Sequence, residues 1–93
     1  MTLDEAIGQA IRMVRDGFDM TQGQLAEQAG LHKMSLSKIE RGKGHVKLDT
    51  LASIAKALTA ARPDNPWRPS DLVRFAEGVL DAANAKKHKP RRK

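Results

Sequence analysis

Between Thr21 and Gly42 the sequence TQGQLAEQAGLHKMSLSKIERG has room for two short helices, and one glycine fixes how they join. Thr21 followed by Gln24 forms a capping box, in which each side chain satisfies a backbone N–H that the first helical turn leaves open. Met20, just outside the cap, supplies the outer half of a hydrophobic staple. Leu25, Ala26 and Ala29 recur at helical spacing and make one apolar face. Gly30 accepts positive φ without steric cost, so it ends this helix and turns the chain sharply. Leu31 plugs the turn. A second helix is predicted from about Lys33 to Arg41, with Leu36 and Ile39 inward. Ala26 is small where the two axes cross and lets them approach closely.

At ~100° per residue, Lys33, Met34, Ser37, Lys38 and Arg41 share the outer side of that second helix. They present cations, a hydroxyl and one thioether. Lysine can donate to guanine, serine can bond either partner, and an apolar tip can meet a thymine methyl. Alone, such a side is an ordinary solvated helix face. Placed after a capped helix and a glycine turn, it reads as a helix that enters the major groove of duplex DNA. Lys33, Met34, Ser37 and Lys38 are the candidate base-edge contacts, and Gln22, Arg41, Lys43 and Lys47 the candidate phosphate contacts.

The stretch from Ile7 to Leu58, just over half the chain, resembles the helix-turn-helix domain of the phage-repressor family, the Cro/XRE type. The matching residues are Gln22 opening the first helix of the pair, Leu25-Ala26, Gly30 in the turn, and the close Ile39-Glu40-Arg41-Gly42. The resemblance implies that Arg15, at the end of a preceding helix, pairs with Glu40. Three features depart from the family pattern. Gly23 stands where a helix-favouring residue is usual, at ~1 kcal/mol relative to alanine in a helix interior. His32 occupies the cap of the groove helix, where serine or threonine is common and a better acceptor. Gly44-His45-Val46 lacks the usual loop proline. These departures bear on local stability more than on function.

The rest of the chain completes an all-α fold: a five-helix, lambda-repressor-like DNA-binding domain with a basic, disordered C-terminal tail. A first helix is predicted over about Leu3 to Asp16, with Leu3, Ile7, Ala10, Ile11 and Val14 on one face. A fourth covers about Leu48 to Leu58, its inner face Leu48, Leu51, Ile54, Ala55 and Leu58. Residues 59–69, TAARPDNPWRP, hold three prolines, so no helix crosses them intact. Trp67 reads as a packing anchor for this connector. Ser70 is the predicted cap of a last helix, about Asp71 to Ala85. The organisation is therefore residues 1–59 for DNA binding, 60–85 for connector and C-terminal helix, and 86–93 as tail. Aromatic residues make up 3% of the chain, so the core is aliphatic, with Leu31, Leu36 and Ile39 joining the residues above.

Charge is placed unevenly. The formal net charge is +6, all of it in residues 86–93, KKHKPRRK, which carry six Lys or Arg and no acid. Within the neutral remainder, residues 32–47 hold five basic and one acidic side chain. Local positive potential at the groove helix and its following loop steers a polyanion more effectively than net charge does. The tail is expected to be disordered in the free protein and to touch phosphate near DNA.

Other function classes find little support. There is no cysteine, so no disulfide framework and no thiolate metal site. His32, His45 and His88 are scattered, no nucleophile motif appears, and Gly42-Lys43-Gly44 is too short for a phosphate-cradling loop. No cofactor and no enzyme activity are expected. No segment approaches a membrane span and no secretory signal opens the chain, so the expected setting is the cytoplasm, on the nucleoid when DNA-bound. The expected partners are double-stranded DNA and a second copy of the chain, through Leu72, Phe75, Val79 and Leu80 on the last helix. A protein-binding reading stands beside this one: an antitoxin that sequesters a toxin or other partner through residues 67–85.

Overall fold

Thr2 and Thr21 open the first two of five helices in the computed structural model, which describes residues 1–87, with side chains through Ala85. Helix α1 (Leu3–Gly17) starts on a capping box between Thr2 and Glu5, and α2 (Gln22–Ala29) on the one between Thr21 and Gln24. Gly30 ends α2 at φ +71°, and the Leu31 N–H bonds back to the Ala26 carbonyl at 2.8 Å. Helix α3 (Lys33–Glu40) begins after His32, whose side chain makes no cap bond. It closes on Gly42 at φ +74°, where the N–H groups of Gly42 and Lys43 reach the carbonyls of Ile39 and Lys38. Helices α4 (Leu48–Ala61) and α5 (Pro69–Lys87) follow, and no strand occurs among the described residues.

Several boundaries differ from the sequence reading. Helix α4 runs on from Leu58 to Ala61 and stops at Arg62, whose backbone leaves the helical region ahead of Pro63. Helix α5 opens on Pro69, so Ser70 lies inside it and is not its cap. Proline suits a first helical position because its missing N–H would have no partner there. The Asp71 carboxylate accepts the Arg68 N–H at 2.9 Å and does the capping from the third position. Leu48 is a correction as well: it is 80% exposed. It has the right helical phase, but as the first residue of α4 it emerges into solvent, and the buried face begins at Leu51. Leu3 is also exposed. The basic tail lies outside the described residues, apart from the backbone of residues 86 and 87, which continues α5.

One aliphatic core serves all five helices. Ile11, Leu25, Leu36, Ile54, Leu58 and Leu72 are fully buried in it, one or more from each helix. Helix α5 lies along α1, α2 packs on α4, and α3 crosses both α1 and α2. The crossing of α1 over the end of α3 requires Gly8, because a Cβ there would strike the Ile39 carbonyl oxygen. Trp67 fixes the connector: the Thr59 hydroxyl accepts its backbone N–H at 2.8 Å and donates to its carbonyl at 2.9 Å. Its ring lies 5.8 Å from that of Phe75.

Candidate nucleic-acid interface

Helix α3 divides along its length into an anchored side and a free one. Leu36 is fully buried and Ile39 half-buried, which turns Lys33, Met34, Lys38 and Arg41 into solvent, with Ser37 partly covered between them. The anchor at the end of the helix is a clamp of charged hydrogen bonds. Arg15 Nε donates to Glu40 Oε2 at 2.8 Å and Nη2 to Oε1 at 3.0 Å. Both residues are buried, at 9% and 8% exposure. The remaining Arg15 nitrogen, Nη1, donates to the Met20 carbonyl at 2.6 Å. Bonding to Glu40 raises the Arg15 pKa above its ordinary value, outweighing the opposing effect of burial. The fork geometry suits arginine, and the pair ties α1 and the α1–α2 turn to the last residue of α3.

Gln22 completes this clamp. Its amide donates to Glu40 Oε1 at 2.9 Å, so the residue expected among the phosphate contacts is half-buried and engaged inside the protein. The pairing of Arg15 with Glu40 followed from the family resemblance. The part played by Gln22 did not, because nothing local in the sequence sets a glutamine amide against a carboxylate eighteen positions away.

The loop after α3 is held from the opposite side. The Asp4 carboxylate bonds His45 Nδ1 at 2.6 Å and accepts the Val46 N–H at 3.3 Å. The His45 bond is the larger cause holding the Asp4 carboxyl below its ordinary value. This tether fixes a loop that carries Lys43 and Lys47, both exposed. Together with Lys38 they line a shallow groove of about 290 Å³, which also includes Ser35, His45 and Thr50. Three of the lysines expected at DNA thus converge on one surface. Arg41 is also exposed, and its Nε reaches back to the Ser37 carbonyl at 3.3 Å. Lys33 and Met34 stand at the opposite, N-terminal end of the helix. Ser35, His45 and Thr50 were not anticipated, since the groove forms only when the loop folds against α3 and α4.

The proposed self-association residues separate. Leu72 is fully buried in the protomer's own core and has no surface for a second copy. Phe75, Val79 and Leu80 are half-buried. Val79, with Ala82 and Ala83, meets Met1, Gln9 and Met13 of the N-terminal segment across a groove of about 300 Å³. Among the described residues no cluster of histidine, aspartate and glutamate is placed to hold a metal ion, and no helix is long and apolar enough to cross a membrane.

The helix-turn-helix family model matches residues 11–59, from within α1 to within α4. Control protein C.SmaI of Serratia marcescens is 36% identical over 63 residues, which span 68% of this chain and 75% of that protein. Control protein C.BamHI of Bacillus amyloliquefaciens is 38% identical over 69 residues, 73% and 76% of the two chains. Among solved structures, the clp gene regulator ClgR of Corynebacterium glutamicum superposes with a TM-score of 0.83 at 30% identity, covering 94% of this chain and 85% of that one.

Proposed function

The chain belongs to the helix-turn-helix family, of the Cro/XRE type, and is a DNA-binding transcription regulator rather than an enzyme; on that premise we propose that it represses its target or its own gene as a homodimer, with α3 in the major groove. The observation that carries this reading is the two-sidedness of α3. Its inner side and last residue are locked by Leu36 and the Arg15–Glu40 clamp, while Lys33, Met34 and Lys38 stand free. A helix fixed in orientation with an unengaged polar face meets the geometric need of base readout. Lys38, Lys43 and Lys47, converging on one groove, are suited to the phosphates beside it.

A twofold pair of such domains reads half-sites about one helical turn apart, ~34 Å. Val79 and Leu80, half-exposed on α5 after Leu72 and Ala76 enter the core, support α5 as the contact between copies. The antitoxin alternative draws on the open groove of about 450 Å³ between Trp67 and Phe75, rimmed by Asp71 and Arg74.

The test is a footprint of the full-length protein on DNA upstream of its own gene, with sedimentation of the protein alone and on that DNA. A protected pair of half-sites and a dimer are expected. Lys33→Ala should lose ~1–3 kcal/mol on the protected site and much less on random duplex. Equal losses on both would reduce Lys33 to a phosphate contact. A monomer on its protected site would end the homodimer reading.

A further inference from the structure

The free side of α3 carries one group that makes no strong hydrogen bond. Met34 is 74% exposed, on the helix face that helical phase also gives to Lys33, Ser37, Lys38 and Arg41. A single exposed apolar side chain is ordinary on a protein surface. The position of Met34 is not ordinary. It is the second residue of α3, at the N-terminal end that leads a recognition helix into the groove, and helical phase lines it up with Lys38 and Arg41. Its lysine and serine neighbours can exchange water for base or phosphate oxygens. The thioether improves its environment only by covering apolar surface. On the major-groove edges of the four bases, the apolar group is the C5-methyl of thymine. Cytosine methylated at C5 displays the same methyl at the same ring position.

We propose that Met34 reads a pyrimidine C5-methyl group in each half-site, so that the protein distinguishes thymine from uracil and responds to cytosine methylation at that position. This deepens the assignment of α3 as the groove helix and rests on it. The structure supplies what a single methyl contact requires. The clamp on Glu40 fixes the azimuth of α3, so the reach of residue 34 is set by the fold. Leu36 is fully inside the core and does not compete for the same contact. Methionine is flexible and polarizable, which lets its terminal methyl settle on a small apolar target whose depth varies with local DNA shape. Burying one methyl is worth about four-fold in affinity.

The experiment begins with duplexes selected from a random library by the full-length protein. Each thymine of the preferred duplex is then replaced singly by deoxyuridine, which removes the methyl and leaves base pairing unchanged. At one position in each half-site, uracil should weaken binding about four-fold. With cytosine at that same position, 5-methylcytosine should bind more tightly than cytosine by a similar factor. Met34→Ala, whose helix content is checked by circular dichroism, should remove both differences while keeping discrimination elsewhere in the site. Met34→Gln keeps the length of the side chain but ends it in an amide; it should lose the methyl effect and move the selected base toward adenine. A wild-type profile with no uracil-sensitive thymine overturns the proposal, as does one that Met34→Ala leaves unchanged. Failure to select any preferred duplex would overturn the groove-helix assignment itself.

Discussion

Helices α2 and α3 have the same length, eight residues, and are built in opposite ways. Helix α2 is closed at both ends by its own sequence: Thr21 and Gln24 cap the start, and Gly30 takes the left-handed turn at the end. Helix α3 has no side-chain cap at its start, and its last residue is held by Arg15 and Gln22 from other elements. An isolated eight-residue helix is marginal in water. One of the pair therefore carries local support, and the other borrows tertiary support. The borrowing helix is the one we propose faces DNA. Lys33, Met34 and Lys38 on its outer side carry no side-chain hydrogen bond within the described residues, Arg41 reaches back only to the Ser37 carbonyl, and the tertiary restraints sit on the buried side and at the far end.

The largest test of this contrast removes the borrowed support. Glu40→Ala leaves Arg15 buried without its carboxylate, at about 3–5 kcal/mol, a large share of the ~5–15 kcal/mol that holds a whole domain together. Thermal unfolding should show the loss, and amide exchange should quicken in α3 before α2. Equal quickening in both helices would show that α2 depends on the clamp as heavily as α3. Thr21→Ala attacks local support and should cost less, ~1 kcal/mol, or about 4–8 °C in Tm for a domain of this size.

His32→Ser tests the reverse direction by giving α3 the cap it lacks. It should raise stability by a few tenths to 1 kcal/mol. A neutral result would mean that solvent already satisfies the open N–H groups of the first turn. The smallest effect belongs to Asp4, the half-buried surface partner of the exposed His45. Its carboxyl is held below the ordinary value of 3.8, so its contribution is present above that pH and is lost as pH falls through the lowered pKa. Asp4→Asn should flatten the acid limb of a stability–pH curve slightly, lowering stability by a small, even amount from mildly acidic pH through neutrality and leaving the curve below the lowered pKa unchanged, as suits a surface pair. A large change near neutrality would show that the tether also supports the fold.

The same contrast explains what could be read from the sequence. Helix α2 and its turn were legible almost to the residue, since cap and glycine chemistry act within a few positions. The inner residue Leu36 followed from helical phase. Leu48 had a correct phase and still emerged into solvent, because phase gives an angle around the axis and says nothing of how far neighbouring helices extend. Ser70 matched a cap by residue type, but Pro69 and Asp71 together formed an earlier start. In the candidate site, the exposed face of α3 was legible as a pattern. The membership of Gln22 in the clamp and the bond from Asp4 to His45 were not. The latter joins residues 41 positions apart, and only the folded chain brings them together.

Trp67 adds a practical property to this architecture. The chain has one tryptophan and no tyrosine, so its near-ultraviolet emission is dominated by a single indole. That indole sits at the corner between α4 and α5, with Thr59 bonded to its backbone and Phe75 against its ring. The protein thus contains an intrinsic optical gauge of whether its C-terminal helix is docked, built from none of the residues proposed to meet DNA and readable without an attached dye.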